Sequence, residues 1–131
     1  MNPRYEKILN NLGTLLLLRE RYEESKEAFQ KALAINPNNV ESHVNLGILL
    51  KKQGQMEQSI ESYLRALAID PLHGEAHYNA GLLYEQLGNM EMAIGHYQKF
   101  IQIASKTHPD LVSKVKRHLN YLMEVKLNKG R

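Results

Sequence analysis

The chain repeats itself every 34 residues. Gly13, Gly47 and Gly81 stand 34 apart, as do Asn11, Asn45 and Asn79, and Phe29, Tyr63 and Tyr97. Gly54 and Gly88, Met56 and Met90, and Pro37 and Pro71 keep the same step. In this register residues 6–39 and 40–73 agree at 13 of 34 positions, and residues 40–73 and 74–107 at 11. A fixed period of this length marks a stacked repeat architecture, in which each unit buries its apolar face only against its neighbours. Such stacks expose extended concave surfaces suited to holding other macromolecules.

One repeat reads as two helices. In residues 40–73, Val44, Leu46, Gly47, Ile48, Leu49 and Leu50 form a helical apolar stripe that stops at Gly54, a residue free to adopt the left-handed geometry of a helix C-terminus. Met56, Ile60, Tyr63, Leu64, Ala66, Leu67 and Ile69 form a second stripe that stops before Pro71. The unit is therefore helix, short turn, antiparallel helix. Small residues (Gly47, Gly81, Ser59, Ala66) alternate with the large rings of Phe29, Tyr63 and Tyr97, so facing helices can interdigitate.

These residues resemble the tetratricopeptide repeat family. The resemblance rests on Leu12-Gly13, Leu46-Gly47 and Ala80-Gly81, then Ser25, Ser59 and Ala93, then the three rings, Ala32 and Ala66, and Pro37 and Pro71. It spans residues 6–107 and implies an all-α fold: a right-handed α-solenoid of antiparallel helix pairs with about seven helices, forming a single domain over residues 1–131. The family's usual Trp, four residues before the glycine, is here Leu9, His43 and His77. Repeat three carries Phe100 and Ser105 where the family has alanine and proline, which predicts a shifted or lengthened helix.

Beyond the repeats, Thr107-His108-Pro109-Asp110 reads as a helix start, with proline and an acid in the first turn. A helix over about 108–127 follows, with Leu111, Val115, His118, Leu119, Leu122 and Met123 on one face and Lys114, Lys116, Arg117 and Asn120 on the other. The resemblance implies that it caps the last repeat. Residues 106–131 carry seven bases (Lys106, Lys114, Lys116, Arg117, Lys126, Lys129, Arg131) against Asp110 and Glu124, whereas the rest carries ten bases and twelve acids. The net charge of +3 thus comes from the tail. That argues for an acidic contact or a solvated end face, not for nucleic-acid binding throughout.

The opposite end looks uncapped. Ile8, Leu12 and Leu15–Leu18 make the first helix apolar almost all round, and such a helix is normally covered on every side. Ile8, Leu15 and Leu18 therefore form a candidate self-association edge, filled by a second copy or by upstream repeats. The Leu run after Arg4 and Lys7 has the look of a weak signal peptide, but Asn10 and Asn11 interrupt it, no small-residue cleavage site follows, and it fits helix one in register. No stretch is long and apolar enough to span a membrane, and a cytoplasmic location is the default expectation.

The strongest functional candidate is the asparagine ladder, Asn11, Asn45 and Asn79. The resemblance places it on the concave wall. An Asn amide offers two donors and an acceptor, and so can pair with the N–H and C=O of an extended peptide. The family's geometry puts Asn10, Thr14, Val44, Ile48, Tyr78 and Leu82 on the same wall, with Lys51, Lys52, Glu85 and Gln86 near its rim. The same amides equally suit bonds to the neighbouring helix, because a half-buried amide needs a partner in either role. Some family members capture the carboxylates of chaperone tails with Lys, Asn and Arg. The corresponding sites here are Asn10, Thr14, Asn45, Glu75 and Asn79, of which only Asn45 matches, so that ligand is rejected.

Other chemistry is sparse. His73 and His77 flank Glu75 at crude zinc spacing, but no further ligand is evident and the chain has no Cys, so neither a metal nor any other cofactor is expected. His43 and His77 stand where a large ring packs, and His96 and His118 read as surface or helix-packing residues. The two aspartates, Asp70 and Asp110, read as turn and cap residues, and the glutamates as solvated. There is no phosphate loop and no nucleophile motif, so an enzyme is not expected. Three functions remain: a module binding a partner peptide or segment in its groove, a scaffold stacking copies through the N-terminal edge and the basic end helix, and, least supported, RNA binding. The basic tail suits RNA, but the groove is not basic and the small-residue pattern fits the protein-binding family.

Overall fold

A computed structural model describes residues 4–129. Among them are seven α-helices and no strand: α1 (Arg4–Leu18), α2 (Tyr22–Ile35), α3 (Val40–Lys52), α4 (Met56–Ile69), α5 (Gly74–Gln86), α6 (Met90–Ala104) and α7 (Pro109–Lys129). Arg131, counted above with the basic tail, lies outside the described residues. The helices group into two compact units, residues 1–71 and 72–131. This is how a repeat chain divides when each element touches only its neighbours.

In the first unit α1 pairs with α2 and α3 with α4, while α2 and α1 both touch α3. The hairpins close on a glycine–ring contact. A Cβ added at Gly13 would come 2.5 Å from the Phe29 ring, and one at Gly47 2.5 Å from the Tyr63 ring. Removing that one methyl lets the second helix of each hairpin lie against the backbone of the first. Ser25 Oγ donates to the Gly13 carbonyl at 2.6 Å, and Ser59 Oγ to the Gly47 carbonyl at 2.5 Å, so the buried serines of the pattern pin the same crossing.

Turns and caps follow the period too. Asn39 caps α3 by accepting from the Ser42 amide, and His73, 34 residues on, caps α5 by accepting from the Ala76 amide. Asn36 and Asp70 end α2 and α4 in extended geometry, as a residue before proline must. The turns inside the hairpins use positive φ at Glu20 (60°), Gly54 (79°) and Gly88 (83°), again one period apart.

In the second unit α5 pairs with α6 and α6 with α7. Gly81 repeats the ring contact, its absent Cβ 2.7 Å from Tyr97, but Ala93 replaces the serine and supplies no hydroxyl. Helix α6 runs to 15 residues against 14 for α4. The lengthening foreseen from Phe100 and Ser105 amounts to that one residue: Phe100 is buried in the core with Ala93, Ile94, Tyr97 and Ala104. Val112, Val115, Leu119 and Leu122 of α7 complete that core. Met123, expected on the same face, lies at the edge of the buried stripe and is exposed. Among the described residues no helix is long and apolar enough to cross a membrane.

Candidate functional site

The polar wall of the first unit is a hydrogen-bonded patch joining α1 to α3. Asn10 Oδ1 accepts from Ser42 Oγ at 3.1 Å and from Asn45 Nδ2 at 3.2 Å. Asn45 Nδ2 also donates to Thr14 Oγ1 at 3.3 Å, and Thr14 in turn donates to the Asn10 carbonyl one turn back. Asn45 thus does what the second reading of the ladder allows: it ties two first helices together. Asn11 is exposed and Asn79 half-buried, and neither side chain makes a hydrogen bond among the described residues.

Within this wall one expectation is corrected. Val44 is fully buried and presents nothing to a ligand. Its neighbours Ser42 and Asn45 bond to α1, while Val44, on another side of the same helix, is enclosed in the core. Ile48 is half-buried over Leu17, Phe29 and Leu49.

The second unit opens instead of closing. Tyr78 and Leu82 of α5, Tyr97 of α6, and Leu111, Lys114, Val115 and His118 of α7 line a pocket of about 320 Å³. Tyr78 leans on Phe100 with ring centres 5.2 Å apart and on Tyr97 at 6.3 Å. Behind the pocket stands a polar cluster. Tyr97 Oη donates to Glu85 Oε1 at 2.8 Å, and His118 Nε2 lies 2.7 Å from the same oxygen. Burial, reinforced by the bond to Glu85, pushes the Tyr97 phenol well above the usual tyrosine range, so it remains a donor.

One expectation fails here. Glu85 is not simply solvated, and His118, which packs between helices as expected, also bonds to it. Each serves the other across 33 residues of sequence. The available signal was a phenol at Tyr97 that needs an acceptor on burial, and a histidine on the apolar face of the last helix.

His43, His73, His77 and His96 are structural. His43 is buried, with Nε2 2.7 Å from the Pro37 carbonyl. A carbonyl only accepts, so Nε2 carries the proton. His77 Nδ1 lies 3.1 Å from His96 Nδ1, and His96 stacks on Tyr84. Desolvation, and then the charge of His77, hold His96 below the ordinary histidine pKa. His73 is spent on its cap. Among the described residues no group of three metal-ligating side chains comes together.

At the N-terminal edge the apolar residues are open. Ile8 is 61% exposed, Leu15 50% and Leu18 77%. Tyr5, Ile8, Leu12 and Leu15 recur at three- and four-residue steps along one side of α1, all exposed.

Helical hairpins built on a small–large crossing, repeated at 34 residues and followed by a further helix, define a class of helical-repeat binding protein. Residues 4–71 match one sequence profile of the tetratricopeptide repeat, and residues 44–107 match another. The chain belongs to the tetratricopeptide repeat family.

Solved structures agree on the fold. The chain is similar to the type III secretion translocator chaperone SycD of Yersinia enterocolitica, with a TM-score of 0.87 and 18% identity over 100% of this chain and 90% of that one. It is similar to PcrH in complex with the chaperone binding region of PopD, with a TM-score of 0.87 and 18% identity over 96% of each chain. It also resembles the Sgt2 tetratricopeptide domain of Aspergillus fumigatus, with a TM-score of 0.84 and 21% identity over 99% of this chain and 85% of that one. A search of curated protein sequences finds no match.

Proposed function

We propose that the chain is a non-enzymatic protein-interaction module that holds a partner segment against the exposed faces of its first helices. The observation that carries this reading is the split within the asparagine column. Asn45 spends its amide on α1, whereas Asn11 and Asn79 keep donors and acceptor for a ligand. Asn10 and Thr14 fix Asn45 in the first unit, and in the second Tyr78 and Leu82 stand on the same helix as Asn79 and add apolar surface. PcrH, of the same fold, is known with a bound segment of another protein, which supports the reading for a chain of this shape.

The test is affinity capture from native extract with mass-spectrometric readout, comparing the wild type with Asn11→Ala/Asn79→Ala at matched helicity. Loss of a partner with the double variant supports peptide recognition by these amides. Undiminished capture removes them from the binding role.

A second reading has its own observation, the exposed stripe of Tyr5, Ile8, Leu12 and Leu15 with Leu18 beside it. A stripe of this kind fits self-association through the α1 edge itself. Sedimentation over a hundredfold concentration range (roughly micromolar to 100 micromolar, spanning ordinary weak dimers) tests it. A constant monomer mass, unaffected by Leu15→Glu, removes this reading.

A further inference from the structure

The pocket of the second unit has apolar walls and a cation at its mouth. Leu111, Lys114, His118 and Tyr121 recur at three- and four-residue steps along α7. Leu111, Lys114 and His118 line the pocket, and Tyr121, 60% exposed, stacks on His118 just beyond them. The ammonium of Lys114 is exposed and makes no ion pair among the described residues. Helix α7 as a whole carries five bases (Lys114, Lys116, Arg117, Lys126, Lys129) against Asp110 and Glu124, so its field favours an anion. The carboxylate of Glu85, behind the pocket, is already bonded by Tyr97 and His118, and Asp110, one turn before Lys114, makes no ion pair with that lysine among the described residues.

We infer that this pocket takes an aliphatic or aromatic side chain of a partner segment that bears a carboxylate next to that anchor, with Lys114 meeting the carboxylate. This rests on the protein-binding reading above and specifies its ligand on the second unit. A cavity of about 320 Å³ accepts one such anchor with room for a second. Charge decides between occupants. The chain's own exposed stripe on α1 has Arg4, Glu6 and Lys7 beside it, with no acidic excess for Lys114 to meet, so a second copy is a poor match. A nucleic acid would satisfy the lysine but not the Leu82, Leu111 and Val115 walls. An acidic, apolar peptide satisfies both.

The probes are three N-acetylated, amidated octapeptides with one central Leu-Phe anchor, flanked by Glu, by Gln or by Lys. Binding to the full chain is read by fluorescence anisotropy at about 50 mM and about 300 mM salt. The Glu peptide is expected to bind roughly threefold to tenfold tighter than the Gln peptide at low salt, less so at high salt, and the Lys peptide weakest. Lys114→Glu reverses the order and Lys114→Gln levels it. Leu111→Asn weakens all three peptides by about tenfold through the lost apolar contact.

Equal binding of the three peptides, or an order unchanged by Lys114→Glu, overturns the inference and leaves the interaction module standing. So does the absence of any binding to the wild type while the Asn11/Asn79-dependent partner is still captured. Loss of both signals sinks both readings. A mass that falls with Leu111→Asn would assign the pocket to a second copy and overturn the inference as well.

Discussion

The two units place different side chains at the same repeat positions, and they do different things with them. Asn10, Val44 and Tyr78 share one column; Thr14, Ile48 and Leu82 share another. In the first unit the columns are filled by short polar or branched side chains, and the wall closes on itself through Asn10, Thr14, Ser42 and Asn45. In the second unit the columns hold a phenol and a leucine that have no polar bond of this kind to make, and a pocket stays open against α7. A repeat therefore determines where a side chain sits, while the residue at that place determines whether the surface is sealed or left for a ligand.

The glycine–ring crossing is common to both units and should show the largest effect. Gly47→Ala drives a methyl 2.5 Å from a Tyr63 ring that is fully buried. Gly81→Ala meets Tyr97 at 2.7 Å, a ring as buried as Tyr63 but bordering the pocket on one side, into which it can shift at the expense of its bond to Glu85. Overpacking of this kind costs roughly 1–3 kcal/mol. The expected order is Gly47→Ala near the top of that range and Gly81→Ala near the bottom, read by urea denaturation. Equal losses would show that the pocket gives the ring no freedom.

Next come the asparagines. Asn45→Ala removes both bonds to α1 and leaves Asn10 and Thr14 short of a partner, which should cost about 1–2 kcal/mol. Asn79→Ala has no internal bond to lose, and its effect should stay within about 0.5 kcal/mol. If the two variants are equally destabilised, Asn79 has a structural partner in solution and the division between sealed and open walls is wrong.

Glu20 offers a gain instead of a loss. It holds φ of 60° where Gly54 and Gly88 stand in the later repeats, and a left-handed residue with a Cβ pays roughly 1 kcal/mol for that conformation. Glu20→Gly should raise the melting temperature of the chain, whereas Gly54→Ala and Gly88→Ala should lower it. A neutral Glu20→Gly would mean that the entropy of the added glycine cancels the relief.

How much could be read without the structure follows the same division. The period carried the helix pairs, because apolar spacing and the Gly, Ala and Pro positions all derive from the same repeated packing. The Gly13–Phe29 crossing and the helix ends before Pro37 and Pro71 are local and repeat threefold or twofold, so each copy reinforces the others. Glu85, His118 and Tyr97 do not repeat. Their meeting depends on α7 packing against α6, and no spacing rule joins residues 33 apart in different elements. Val44 was misplaced for a related reason: its column was correct, but the depth of that column depends on how closely the neighbouring helices pack. The family's pattern locates a wall, and the packing around it decides its depth.

The smallest expected effect separates the units by pH. His43 of the first unit donates to a carbonyl, which is a fixed acceptor. His96 of the second unit instead faces His77, and two imidazoles can share one proton but not hold one each without repulsion. Because the folded pKa of His96 lies below its ordinary value, the folded chain takes up that proton at lower pH than the unfolded chain does. Above the ordinary value of 6.5 the imidazole is neutral in both states, and its contribution to stability is fully present. As pH falls below that point the unfolded chain is protonated first, and stability is lost until the folded value is reached. Denaturation at about pH 7.5 and about pH 5.5, the range over which histidine titrates, should therefore show a drop on acidification that His96→Gln makes smaller. Amide exchange should register the same loss in α5 and α6 before α1 and α2. An unchanged slope in His96→Gln would move the acid sensitivity elsewhere, and earlier exchange in α1 would place it in the sealed unit, where the geometry provides no paired histidines to cause it.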